Sequence, residues 1–192
     1  KTLVAWVSSD SFDQHGGGVL TIEDERGQFD SLVLGEMASR RWMCGSDGLK
    51  RTQKEQAGNA AETASPGEWV QIAASYCGRR VTLYRNGSRY ASYDVDQPSQ
   101  FKSGAKLLLG LRHQALEASP TAHFCGAIAD ARLYSRALTD AEVAAIRPHT
   151  AAGPKPLVWF DFQDAQTIDH SGHIASADLK GGALLRDDSL VL

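Results

Sequence analysis

GAIADARLYSRALTDAEVAAI, Gly126 to Ile146, is the stretch whose reading decides the fold. A strand-like run passes straight into a capped helix with almost no loop between. In the strand half, alternation predicts Ile128, Asp130, Arg132 and Tyr134 on one face and Ala129, Ala131 and Leu133 on the other. The helix half starts at Thr139, whose hydroxyl can accept from the amide three residues on, while Glu142 can reach back to the amide of Thr139. Leu138, Val143 and Ile146 supply a short apolar stripe, and Pro148 stops the run.

Working outward, WVQIAASYCGRRVTLYRNGSRYASYDV, Trp69 to Val95, holds three β-rich runs separated by Gly78 and by Asn86-Gly87. Asn-Gly between alternating runs predicts a type I′ hairpin, because both residues tolerate positive φ. Leu3–Val7, Val19–Ile22, Ser31–Leu34 and Leu107–Leu111 read as further strands, and Gly16-Gly17-Gly18 reads as a turn. Glu36 to Ser65 is a long excursion with one short strand at Arg41–Cys44. Short strands with frequent turn signals predict an all-β sandwich or barrel with one short helix, not βαβ units. The sandwich spans residues 1–147 and a linker 148–156, with AAGPKP at its heart. After it come a strand at Leu157–Asp164, a turn at Asp169–His173, and one or two strands in Ala183–Leu192.

At 192 residues the chain can bury about 70% of its unfolded surface. A net charge of -3 gives no reason to expect nucleic acid or an anionic membrane as partner. No apolar run approaches the length of a spanning helix, and Lys1 opens no signal-peptide pattern. The chain begins in mid-strand at LVAWV and ends on LVL, which reads as a piece of a longer polypeptide. Cys44, Cys77 and Cys125 cannot all pair in one molecule, and their spacing matches no zinc or redox motif. The expectation is three reduced, mostly buried thiols, with one disulfide and a leftover thiol as the alternative.

LVAWV, PGEWVQIAASYCGRRVTLYRNGSRYAS and GAIADARLYSRALTDAEVAAI together resemble the laminin-G-like jelly roll of the concanavalin A-type lectin and glucanase group. The resemblance implies a two-sheet antiparallel jelly-roll sandwich. In that family an aromatic strand with an Asp-x-Ser-Gly turn usually precedes the opening strand. Here such a segment, WFDFQDAQTIDHSG at Trp159 to Gly172, comes last. Residues 157–192 are therefore expected to complete the same sandwich, since an open β-edge is an aggregation hazard. The other possibility is that they begin a following copy. The resemblance further implies a non-catalytic accessory module, extracellular, surface-bound or periplasmic, beside a catalytic domain of the same chain. It is similar to modules attached to levanase-like, family-32 glycoside hydrolases.

Glucanases of this fold place carboxylates two apart on one strand, flanking a single glycosidic bond. Glu23-Asp24-Glu25 alternates across its strand and cannot do so. No nucleophile elbow or phosphate-cradling glycine pattern is present. No motif demands a cofactor. Calcium is the one ion with ligands on offer, from Asp10, Asp13, Asp161, Asp164 and Asp169 in or beside loops, although aspartates also populate turns for their own hydrogen bonds. His170 and His173 read as solvated side chains, for want of a third ligand. For an oligo- or polysaccharide partner, an apolar platform ringed by planar polar groups is required. The expected set is Trp42 as platform with Arg41, Glu36, Arg51, Arg112 and His113 as hydroxyl readers, if the excursion and the Leu111–His113 loop meet at one rim. Trp6, Trp69 and Trp159 are expected in strands and the core, and a core position is the alternative for Trp42.

Overall fold

Asn86 and Gly87 both take positive φ, 49° and 75°, and close the hairpin that the Asn-Gly pair predicts. The computed structural model describes residues 1–192, and around this hairpin run β5 (Val70–Cys77), β6 (Arg80–Arg85) and β7 (Ser88–Asp94). β5 also pairs with β1 (Thr2–Ser8), and β1 with β9 (Ala127–Tyr134). The far edge of β9 is divided between two strands. β10 (Val158–Asp161) pairs with Asp130–Leu133, and β12 (Ser189–Val191) with Ala127 and Ile128. β11 (Leu184–Arg186) completes this sheet through a hairpin to β12. The second sheet has the order β4-β3-β2-β8, with β2 Gly17–Glu23, β3 Phe29–Leu34, β4 Trp42–Ser46 and β8 Lys106–Leu109. All ladders are antiparallel, and the result is a jelly-roll sandwich.

The two inner faces meet in one core. Leu3, Ala5, Ile72, Leu83 and Leu133 come from the first sheet and Leu20, Leu32, Leu34, Trp42 and Cys44 from the second. One departure from simple alternation matters. Opposite Trp6 and Val7, β9 slips past Ala129, so that Trp6 faces Asp130 while Val7 faces Ile128. The extra residue is a β-bulge, which reverses the side-chain parity on its two sides. Ile128 therefore joins Ala131 and Leu133 in the core, while Ala129 joins the outer cluster. The expected placement of Ile128 beside Asp130 is corrected accordingly.

The outer face of the first sheet is roofed by helix α1 (Asp140–Ala145). Its capping box is formed: the Glu142 amide donates to Thr139 Oγ1, and the Thr139 amide donates to Glu142 Oε2. Leu138, Val143 and Ile146 pack on Val4, Trp6, Ala73 and Tyr84. Each such burial contributes about 1.5–3 kcal/mol. The outer face of the second sheet is roofed as well. Thr21 Oγ1 donates to the carbonyls of Leu111 and Arg112 at 2.9 and 3.0 Å. Gly17 and Gly18 belong to β2 and not to a turn, because the Arg112 backbone crosses Gly18 too closely for any Cβ. Both broad faces are thus covered over their centres, while β7 and β11 leave the edges of the first sheet exposed.

Candidate functional site

At the end where β1 and β3 begin and β5 and β9 finish, the sheets part into a mouth. Asp30, second residue of β3, is fully buried there and is held by three donors. Lys1 Nζ lies 2.6 Å from its Oδ2, Arg51 Nε 2.8 Å from its Oδ1, and the Ser99 hydroxyl donates to Oδ2. Lys1 Nζ also donates to Ser99 Oγ at 2.7 Å and rests 3.8 Å above the Tyr76 ring and 5.0 Å from the centre of the Phe101 ring. Arg51 Nη2 donates to the Phe29 carbonyl at 2.9 Å and pairs with Asp47. An isolated buried carboxylate is costly, and two cations with a hydroxyl offset that cost.

Electrostatics follow the geometry. Burial lowers the Lys1 pKa despite the facing Asp30 carboxylate. For Arg51, burial acts against the charge but Asp30 and Asp47 outweigh it and raise the pKa. Burial likewise opposes the Asp47 charge, and the Arg51 and Lys50 hydrogen bonds overcome it and hold the carboxyl below its ordinary range. Above this network opens a cleft of about 560 Å³, bordered by the rings of Tyr76 and Phe101, by Leu157, and by the polar Arg51, Ser99 and Gln100. It adjoins a larger, more polar depression of about 980 Å³, and the two meet at Arg51, Val95 and Pro98. With Lys1 over Tyr76, the half-buried Phe101 is the aromatic face left beside planar hydrogen-bonding groups, and a cleft of this size suits a small polyhydroxylated ring compound.

Of the six expected site residues, only Arg51 lines this mouth. Arg112 and Glu36 do come together, Nη1 to Oε1 at 2.7 Å, so the two loops meet at a rim as expected. That rim is the opposite end, because Glu36 follows the last residues of β3 whereas Asp30 opens it. Arg41 is spent on its own loop, donating to the Asn59 and Ser39 carbonyls. His113 stacks on Phe29 at 4.7 Å. Trp42 is no platform: it is 0% exposed, and its indole N–H donates to Glu62 Oε2 at 2.6 Å. Trp69 is the reverse correction, 43% exposed where a core position was expected. Alternation carried the signal in both cases, since Trp69 shares parity with Gln71 and Ser75 and Trp42 with Cys44. The remaining mouth residues, Lys1, Asp30, Tyr76, Ser99 and Phe101, converge from segments far apart in sequence, and no local pattern marks them.

Two of the five aspartates offered for calcium, Asp161 and Asp169, have other occupations, and Asp164 is exposed. Asp169 accepts from the amides of Trp159, Ser171, His173 and Ile174, a turn scaffold. Asp161 pairs with His149 Nδ1 at 2.7 Å, while Asp10 and Asp13 are exposed. Asp130, His149 and Asp161 form a group of metal-ligand type within 4.8 Å of one another. Asp130, however, already accepts both arms of the Arg132 fork at 2.8 Å, the His149 amide at 3.0 Å and the Trp159 indole at 3.0 Å. These donors point at the oxygens a cation would need, and the cluster is read as a tether between β9, the 148–156 segment and β10. His170 leans on Trp159 at 5.2 Å, and His173 meets Ser171. The carboxylates of residues 23–25 diverge: Glu23 accepts from the Gln114 amide, Asp24 from Arg26, and Glu25 is exposed. All three cysteines are free, but only Cys44 is buried, its thiol pushed up to about 12 by burial, while Cys77 and Cys125 are exposed.

A family model described as the concanavalin A-like lectin/glucanases superfamily, of laminin-G type, matches residues 1–144. The chain belongs to this superfamily. No curated protein matches its sequence. Among solved structures it is similar to a candidate carbohydrate-binding protein from Bacteroides ovatus, at 15% identity and a TM-score of 0.59 over 91% of this chain and 50% of that one. It is also similar to domain 4 of AbnA, an extracellular GH43 arabinanase of Geobacillus stearothermophilus in complex with arabinotriose (22%, TM-score 0.55, 74% and 64% covered). A third likeness is to the CBM40 of the Ruminococcus gnavus IT-sialidase bound to α2,3-sialyllactose (14%, TM-score 0.51, 75% and 80% covered). At these identities the likeness is one of fold. The chain spans half the length of the first of these proteins and 64% of the second.

Proposed function

We propose that this laminin-G-type sandwich is a non-catalytic carbohydrate-binding module, accessory to a glycoside hydrolase of the same extracellular or surface polypeptide, and that sugar enters the mouth cleft. The observation that carries the reading is the cleft of about 560 Å³, where the half-buried Phe101 ring stands beside Arg51, Ser99 and Gln100. The Phe101 ring takes the CH face of a sugar and the polar groups take its hydroxyls. The carbohydrate ligands of the arabinanase and sialidase modules, which share the fold, support the same reading. Attachment to a levanase-like enzyme is the finer version of it. No helix is long and apolar enough to cross a membrane.

Titration calorimetry with arabinan, levan, inulin and β-glucan oligosaccharides tests this. At least one should bind, and Phe101→Ala should weaken it about tenfold or more, equivalent to ~1.4 kcal/mol. Silence across the panel, or an affinity indifferent to Phe101→Ala, contradicts the proposal.

A second reading, a module that packs on a catalytic neighbour without binding sugar, draws support from the last segment. Leu157, Ile168, Ile174, Leu179 and Leu184 are all exposed there.

A further inference from the structure

We infer that the mouth selects uncharged glycans and discriminates against sugars bearing carboxylate or sulfate groups; this rests on the mouth being the sugar site. The basis is a charge inventory. The two depressions and the Asp30 beneath them present four cationic side chains, Lys1, Lys50, Arg51 and Lys54, against five carboxylates. A site that recognises anionic sugars leaves an arginine fork or a lysine free to face the ligand.

Here the cations are already engaged. Lys1 is taken by Asp30 at 2.6 Å and by Ser99, and Arg51 by Asp30, by Asp47 and by the Phe29 carbonyl. Lys50 closes on the other oxygen of Asp47 at 3.0 Å. Only Lys54 lacks an ion pair, and it is exposed beside Glu55. Asp94 and Asp96, on the wall of the polar depression, face the exposed Arg80 at 2.9 Å and Arg79 at 3.8 Å, so these outer arginines are paired as well. An incoming anion would have to draw Lys1 or Arg51 away from the buried Asp30 carboxylate, or Arg51 away from Asp47, whereas a hydroxyl can share those groups as donor and acceptor without displacing either. The aromatic faces attract cations and give an anion nothing, which works in the same direction as the paired polar groups.

The test is calorimetry on the whole chain with two sets of probes. Arabinotriose and a fructo-oligosaccharide represent neutral ligands, and 3′-sialyllactose and trigalacturonate anionic ones. The neutral set should bind about tenfold more tightly or better, with little change between ~20 and ~200 mM salt. Asp47→Asn is the gain-of-function arm. It removes the partner that Arg51 shares with Lys50, at a partly buried position, and should raise affinity for the anionic set. Anionic ligands that bind as tightly as neutral ones, with affinity falling as salt rises, overturn the charge inference and leave the sugar site standing. So does an Asp47→Asn protein with no gain. Failure of both sets to bind overturns the site itself.

Discussion

Replacing Glu62 with Gln should cost this fold about 3 kcal/mol at neutral pH, and the cost should fade in acid. Glu62 is 1% exposed and ties the long excursion to both sheets. Its Oε2 accepts from the Trp42 indole at 2.6 Å and from Arg85 Nε at 2.9 Å, and its Oε1 from Arg85 Nη2 at 2.6 Å and from the Thr63 and Ala64 amides at 2.8 Å. A Gln side chain offers one oxygen where two are needed, and its amide N–H groups would point at existing donors. Burial opposes the Glu62 charge, but the Arg85 and Trp42 hydrogen bonds prevail and hold its pKa at about 2, against an ordinary 4.5. A depressed carboxylate pKa contributes stability that is complete above the unfolded value and is lost as pH falls through the folded one. A shift of this size corresponds to roughly 3 kcal/mol at pH 7 and about 1.5 kcal/mol at pH 3. Urea denaturation of the wild type and Glu62→Gln at both pH values reads the difference directly. A penalty below about 1 kcal/mol at pH 7, or one that does not shrink at pH 3, would refute the assigned role of the carboxylate.

Three further outcomes follow from the same structure. Gly18→Ala should destabilise by about 1–3 kcal/mol, because the atoms its Cβ meets are the Arg112 backbone and cannot rotate away; thermal melting checks this, and an unchanged midpoint contradicts the close crossing. Thr139→Ala should cost about 1 kcal/mol and lower the melting midpoint by about 2–4 °C, whereas Thr139→Ser should be nearly silent. Proteolytic nicking within the exposed 151–153 stretch should leave the two pieces associated on gel filtration, held by the β9 pairings and the Asp130 network; free release of the 157–192 piece contradicts that residues 157–192 belong to this folding unit.

Local signals in the sequence were the ones that read true. The Thr139–Glu142 box, the Asn86-Gly87 turn and the inward stripe of Leu138, Val143 and Ile146 each depend on neighbours within a few residues. Features set by a partner strand were not readable. The bulge at Ala129 exists only because β9 pairs with β1, and it inverted the expected place of Ile128. For the tryptophans the reason is simpler: a long, polar excursion suggests a platform at Trp42, while strand parity, with Trp42 beside Cys44 inward and Trp69 beside Gln71 outward, decides otherwise. Arg51 was found as a candidate without its partners. Asp30 and Ser99 stand 21 and 69 residues from their hydrogen-bonded neighbours in the cluster, and only the closed sandwich brings them together.

The most direct measurement is a ¹H–¹⁵N correlation titration of the intact chain with a neutral oligosaccharide that binds. Perturbed amides should cluster at Arg51, Val95 and Ser99–Phe101, around the mouth of the sandwich. Perturbations gathered instead about Glu36 and Arg112, at the opposite rim, would contradict the assignment of the mouth as the sugar site.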